Sequence, residues 1–194
     1  NAATTFRYPT SFDGKNRQVY LDGEAYFEIS KNSEKPFVVK LKKQEITVLG
    51  TTFNVQAYGH ESYSEVTLLT GRILLEAFNE RGESMSCMYL KPDQKALSDN
   101  STGSVSLQDV NASLSNAWIN GEYKFKDEPL ASIVKRLENY YNVKIHLEDK
   151  RLEKIRYTGT FSLDQDILDV FRIIDYEKQL IFKRVEKEIF ITSK

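Results

Sequence analysis

Between Arg17 and Ile29 apolar and polar residues alternate. Val19, Leu21, Gly23, Ala25, Phe27 and Ile29 share one parity; Tyr20, Asp22, Glu24, Tyr26 and Glu28 share the other. Successive strand side chains point to opposite faces, so the run predicts a long half-buried strand whose solvated face carries Tyr20, Glu24, Tyr26 and Glu28. Gly23 leaves a gap in the apolar set and predicts a bulge or a close backbone approach. Shorter runs follow: Phe37 to Lys42, then Glu45 to Val48, then Phe53, Val55 and Ala57. The inward parity changes from even to odd between the last two, which predicts a bulge at Gly50. Glu65 to Thr70 and Ile73 to Phe78 flank Gly71-Arg72 and read as a hairpin. A turn at Asn79 to Glu83 leads into Ser84 to Tyr89, and another turn is centred near Asp93. Ser98 to Ser106 is polar and reads as an exposed loop or linker.

Beyond that segment the period lengthens. Leu130, Ile133, Val134, Leu137 and Tyr141 are spaced as one face of a helix, with Asp127 as N-cap, Pro129 in the first turn and Asn142 as the stop. Val143 to Leu147 and Arg156 to Phe161 read as strands. A second helix, capped by Ser162 or Asp164, turns Ile167, Leu168, Phe171 and Ile174 inward. Leu180 to Val185 and Glu188 to Thr192 close the chain as a hairpin about Glu186-Lys187. With Tyr123 to Phe125 in front, the order is β-α-β-β-α-β-β, and both helices are expected on one face of a single sheet. The fold expectation is a mainly β N-terminal lobe, sandwich- or solenoid-like, over residues 1–110. A small two-layer α+β domain follows over residues 111–194.

Composition narrows the function classes. Forty per cent hydrophobic residues supply a core, and a net charge of −1 gives no broad attraction for nucleic acid or anionic lipid. No run of about 18 apolar residues crosses a membrane, and no signal peptide is visible. The chain opens on Asn1 without an initiator Met, which is expected of a fragment of something longer. Cys87, the sole cysteine, forms no internal disulfide, and between Met85 and Met88 it reads as a buried apolar residue. Glu24 and Glu28 invite a glycosidase reading, but four residues of strand set their Cα atoms about 13 Å apart. A retaining pair needs about 5.5 Å and an inverting pair at most about 9.5 Å between carboxyl groups. His60 and His146 have no companion at metal-ligand spacing. The expectation is a protein that is not an enzyme, with no cofactor, no metal and no catalytic residue.

Leu21-Asp22-Gly23-Glu24-Ala25-Tyr26-Phe27-Glu28, Lys35-Pro36-Phe37-Val38-Val39 and Val48-Leu49-Gly50-Thr51-Thr52-Phe53-Asn54-Val55 together resemble the extracytoplasmic part of FecR-type anti-sigma factors. Trp118-Ile119-Asn120-Gly121 resembles that family's junction. The C-terminal order resembles the short STN-like signalling domain at the N-terminus of TonB-dependent transporters and secretins. The resemblance implies the periplasmic region of an inner-membrane protein, with a membrane helix and a sigma-factor-binding cytoplasmic domain upstream. It also implies that the region regulates an extracytoplasmic-function sigma factor through contact with the signalling domain of an outer-membrane TonB-dependent transporter. Some family members cleave themselves at a Gly-Thr bond by an N-to-O acyl shift, and Gly50-Thr51 is the matching bond here. The family usually carries Gly where Asp93 stands. The last strand, Glu188, Ile189, Phe190, Ile191 and Thr192, is expected to end its sheet and so to offer a partner-binding edge. Ile189 and Ile191 would then face the core. The alternative is a carbohydrate- or ligand-binding β-domain using exposed Tyr20 and Tyr26.

Overall fold

The computed structural model describes residues 1–175 and 179–194. The chain divides into two compact units, Ala3–Asn116 and Ala117–Lys194.

The N-terminal unit is one ladder of ten strands. These are β1 (Thr5–Arg7), β2 (Arg17–Glu28), β3 (Phe37–Lys40), β4 (Gln44–Val48), β5 (Thr52–Ala57), β6 (Tyr63–Thr70), β7 (Ile73–Phe78), β8 (Ser84–Leu90), β9 (Gln94–Asp99) and β10 (Val105–Asp109). The order is β10-β9-β6-β5-β2-β3-β4-β7-β8, with β1 paired to β2. β2 serves both halves. Arg17 to Tyr20 pair in parallel with β3, whereas Gly23 to Glu28 pair antiparallel with β5. Gly23 marks the change: its φ is +129°, and a Cβ there would lie 2.6 Å from the Cα of Thr4. That is the close approach expected of a glycine in a strand.

The two halves of the ladder bury one core that includes Val19, Phe27, Val39, Ile46, Phe53, Val66, Leu75 and Leu90. Phe27 and Phe53, paired on the neighbouring strands β2 and β5, stack within it at 5.0 Å. This arrangement corrects three expectations. β4 pairs with β3 and β7, while β5 pairs with β2 and β6, so Gly50 is not a bulge within a strand. The chain crosses the core there, and parity flips because the core now lies on the other side. Likewise β6 and β7 form no hairpin; Gly71-Arg72 is a second crossing. Ser98 to Ser106 is no linker either. It holds the turn of the β9–β10 hairpin, where Asp99 accepts from the N–H groups of Ser101 and Thr102.

The C-terminal unit holds β11 (Glu122–Pro129), α1 (Leu130–Tyr141), β12 (Lys144–Leu147), β13 (Arg156–Ser162), α2 (Ile167–Ile174), β14 (Leu180–Val185) and β15 (Glu188–Ser193). The element order is the expected one, but the strands form two sheets: β11-β13, and β12-β15-β14. α1 packs on β11 and β12, one strand from each, and α2 packs on β13. Leu130, Ile133, Leu137, Phe171, Ile189 and Ile191 share the core with no measurable exposure. Full burial contributes roughly 1.5–3 kcal/mol for each such side chain. Asn142 ends α1 in the left-handed region at φ +52°, as a helix-stopping Asn should. The N-caps differ from expectation. Asp127 sits in a bulge of β11 at φ +51°, its carboxylate 2.8 Å from Arg156 Nε, and Pro129 caps α1 without a side-chain bond. Asp166, not Ser162 or Asp164, caps α2 by accepting from Leu168 N–H at 2.8 Å.

Candidate functional site

Two regions carry the candidate residues, one in each unit. In the N-terminal unit the crossings stack on one another. Leu49 to Thr51 lie beside the end of β2: Thr51 N–H donates to Ile29 O, Ile29 N–H donates to Thr51 O, and Asn32 N–H donates to Leu49 O. Thr51 is 3% exposed, and its hydroxyl donates to Arg72 O at 3.0 Å. Gly50 is dictated by proximity, since a Cβ would lie 2.6 Å from Lys31 Cα. Gly71 is dictated by both proximity and conformation: φ is +90°, and a Cβ would lie 2.7 Å from Gly50 O. The Gly50-Thr51 peptide is thus clamped, with its hydroxyl committed to a carbonyl. For an N-to-O acyl shift Thr51 Oγ1 would have to turn toward Gly50 carbon and pass its proton to a base. Arg72 carbonyl is the acceptor in place, and it is a weak one.

Asp93 continues the row of crossings. It adopts φ +62°, the conformation a Gly takes freely, and its Oδ1 accepts from Ala112 N–H at 3.2 Å. The carboxylate compensates for the strained backbone by fastening the segment that follows β10.

The residues expected on the solvated face of β2 fall into different environments. Tyr20 is exposed, whereas Glu24 is 6% exposed and accepts from Asn54 Nδ2 at 2.9 Å and Asn1 Nδ2 at 2.6 Å. Glu24 is therefore a buried, hydrogen-bonded carboxylate rather than part of a wet face. Glu28 stays exposed, so the two carboxylates share no site. Burial raises the Tyr26 hydroxyl above its ordinary pKa. His60 lies in a loop near Tyr58, and His146 stacks on Phe190 at 4.8 Å. Among the described residues no three His, Cys, Asp or Glu side chains gather as metal ligands. Cys87 is exposed on β8, contrary to the buried position expected of it.

In the C-terminal unit the expected partner strand is corrected. β15, which contains Glu188, Ile189, Phe190, Ile191 and Thr192, is the middle strand of its sheet, flanked by β12 and β14. Position at the chain's end misled, because β12 returns in parallel beside it. The alternation holds: Ile189 and Ile191 are buried and Phe190 faces the other way. The open edges belong to other strands. On β12 one edge donor is taken, since Ile145 N–H donates to Glu138 Oε1 at 2.8 Å. On β14, Lys194 N–H bonds to Gln179 O, so the odd-numbered residues face β15. The backbone groups of Phe182 and Arg184 therefore point outward. A groove of about 900 Å³ lies between β13 and the start of β14, with Phe125, Phe161, Ile173 and Leu180 among its walls. Asp149 at its rim is held well down, to about 2, chiefly by the Arg151 guanidinium. Nothing in the local sequence marked β14 as the edge; that follows only from the parallel return of β12.

The chain is thus a two-unit, mainly β protein whose α-helices, among the described residues, lie in its C-terminal unit. Residues 1–74 match the family model described as FecR protein, and residues 122–191 match that described as FecR, C-terminal. The chain belongs to the FecR family. Two crystal structures, each of a candidate anti-sigma factor from Parabacteroides distasonis ATCC 8503, are similar over all of this chain and 88% of theirs. One shows 28% identity with a TM-score of 0.85, the other 29% with 0.83. No curated protein matches the chain. Among the described residues no helix is long and apolar enough to cross a membrane.

Proposed function

We propose that the chain is the signal-receiving region of an anti-sigma factor. The observation that carries this reading is the pair of FecR-family matches, one in each unit, together with whole-chain similarity to the Parabacteroides protein. In this reading the region lies in the periplasm and is joined upstream, through a membrane helix, to a cytoplasmic segment that holds an extracytoplasmic-function sigma factor. The C-terminal unit, STN-like in its element order, contacts the signalling domain of an outer-membrane TonB-dependent transporter. The contact needs no catalysis; it needs an interface weak enough to switch when the transporter loads its substrate.

The outward backbone groups of β14 are the proposed point of capture, by addition of a partner strand. Arg184→Pro removes one outward donor and leaves the β14–β15 ladder intact. It should weaken binding of the transporter's signalling domain in calorimetry while the melting curve stays in place. Thr192→Pro is the contrast: Thr192 pairs with Ile181 inside the sheet, so this change should cost about 3 kcal/mol or more of stability. Unaltered affinity for the Arg184→Pro protein would move the interface off β14.

A second reading, a carbohydrate-binding β-domain, has one observation in its favour. A cavity of about 390 Å³ opens beside exposed Tyr20, lined also by Arg7, Asp22 and Lys42; Tyr26 is not part of it. A saccharide panel in calorimetry decides between the two, and loss of any binding signal in Tyr20→Ala would locate the site there.

A further inference from the structure

We propose that the N-terminal unit binds a uronic acid, a sugar ring that carries a carboxylate, in the cavity of about 390 Å³ beside Tyr20. The site is that of the carbohydrate-binding reading above, on which the proposal rests. Strand pairing creates the space. β2 is paired with β3 through Tyr20 and with β5 only from Gly23. Lys42, just past the end of β3, and Gly59, just past the end of β5, line the gap where one partner strand gives way to the other. β1 closes a third side and sets Arg7 opposite Tyr20. Lys40 is the partner of Tyr20 on β3. Residues paired across strands share a face, so Arg7, Tyr20 and Lys40 project to one side, and Asp22, two residues along β2, joins them. Val19 and Leu21 point the other way, into the core. The volume falls within the range of small-molecule pockets, about 300–1,000 Å³.

The polar groups of the cavity select a charged sugar. Lys40 is already paired with Glu45. Asp22 Oδ1 accepts Gly59 N–H at 2.8 Å, which fixes the carboxylate and leaves Oδ2 without a hydrogen-bond partner among the described residues. Arg7 and Lys42 form no ion pair among the described residues, although Asp22 lines the same cavity. Lys42 Nζ reaches only Gly59 O, at 3.4 Å. Tyr20 is 52% exposed, and its hydroxyl accepts from Gln18 Nε2 at 2.6 Å, which steadies an open ring. A uronate answers all three features. A ring hydroxyl donates to Asp22 Oδ2, the apolar C–H face lies on Tyr20, and the carboxylate accepts from the Arg7 fork and the Lys42 ammonium. A neutral sugar would leave both cations without a partner. A bare anion such as phosphate would use neither the ring nor Asp22, whose charge would repel it.

Calorimetric titration of the 194-residue chain tests this, with oligomers of glucuronate, galacturonate and mannuronate, the matching neutral hexose oligomers, and inorganic phosphate. At least one uronate should bind about tenfold or more tightly than its neutral counterpart, and its affinity should fall as salt is raised. Arg7→Ala and Lys42→Ala should each weaken that binding by about tenfold, and Arg7→Lys should recover only part of the loss, because the ammonium lacks the fork. Tyr20→Ala should weaken it as well. Unchanged melting temperatures show that the variants fold. A neutral oligomer that binds as tightly as the uronate, and is lost in Tyr20→Ala, overturns the proposal while keeping the carbohydrate-binding reading. Phosphate that binds as tightly as any uronate overturns it too, and reduces the cavity to a plain anion site. Uronate binding indifferent to both Arg7→Ala and Lys42→Ala removes the site from this cavity. A chain that binds no oligomer of either kind overturns the proposal and the carbohydrate-binding reading together.

Discussion

The two units use glycine and hydrogen bonding in opposite ways. In the N-terminal unit one ladder runs through all ten strands, and the chain crosses the core at turns so tight that Gly50 and Gly71 admit no Cβ. In the C-terminal unit the strands split into sheets of two and three, held by a core that the helices complete. There Gly159 lies in β13, and a Cβ added to it would meet nothing within 4 Å. A continuous ladder uses most of its backbone groups internally. Two short sheets have more edge for each strand they contain. The two units thus differ in how their sheets enclose the backbone, and substitutions can probe that division.

The largest effects should come from the two cores. Phe53→Ala in the N-terminal unit should cost about 3–5 kcal/mol and Leu137→Ala in the C-terminal unit about 2–5 kcal/mol, since both side chains are fully buried. Urea titration read by hydrogen exchange assigns each loss to its own unit. A midpoint unmoved by Leu137→Ala would mean that the helix-supported core is not what holds the small sheets.

Glycine substitution tests the same division at the backbone. Gly71→Ala meets Gly50 O and must also hold a positive φ, so a loss of about 1–3 kcal/mol from crowding alone is expected. Gly159→Ala has open space and no positive φ, so it should be neutral or stabilise by about 0.4–1 kcal/mol. Equal losses at the two positions would erase the distinction between the clamped crossings and the open strand.

How much of this was legible in the sequence follows the same division. Alternation in β2, β5 and β7 located strands correctly, because each has one face on the core. Helical spacing found α1 and its Asn142 stop for the same reason. Pairing was not legible. The parity flip between Val48 and Phe53 is equally consistent with a bulge or with passage across a core, and only the partners of β4 and β5 decide. The burial of Glu24 depends on Asn1 and Asn54, which local alternation cannot see. The end of the chain suggested an edge position for β15, yet β12 occupies that side. The exposure of Cys87 was missed, although the uncharged run around it was a readable sign of an unusual edge.

Thr51→Ala probes the clamp by hydrogen bonding rather than by crowding. It leaves Arg72 O without its donor beside a buried site, at a cost of about 1–3 kcal/mol. Mass spectrometry of the purified wild-type chain bears on the same bond. Two fragments meeting between Gly50 and Thr51 would show that the clamp strains the peptide toward self-cleavage, whereas an intact chain would leave Thr51 a structural residue.

The smallest effect is shared by both units and concerns acid. Asp99 in the β9–β10 turn is held at about 2, first by the Ser101 hydroxyl at 2.5 Å and then by the N–H groups of Thr102 and Ser101. Asp149 ahead of β13 is also held at about 2, first by the Arg151 side chain and then by Arg151 N–H, with Ser193 Oγ adding a bond to β15. Both folded values lie below the ordinary 3.8 of an unfolded Asp. The stabilisation from each turn is therefore fully present above pH 3.8 and is lost as pH falls through about 2. Both groups lie at the surface and are only partly covered, so screening keeps each contribution small. Carboxyl resonances followed by NMR should titrate with midpoints near 2 for both residues, and Asp149→Asn should remove the acid-dependent step from the C-terminal unit alone. Midpoints at the ordinary value would show that these turns are not closed in solution, and the Ser193 bond that ties residue 149 to β15 would have to be abandoned with them.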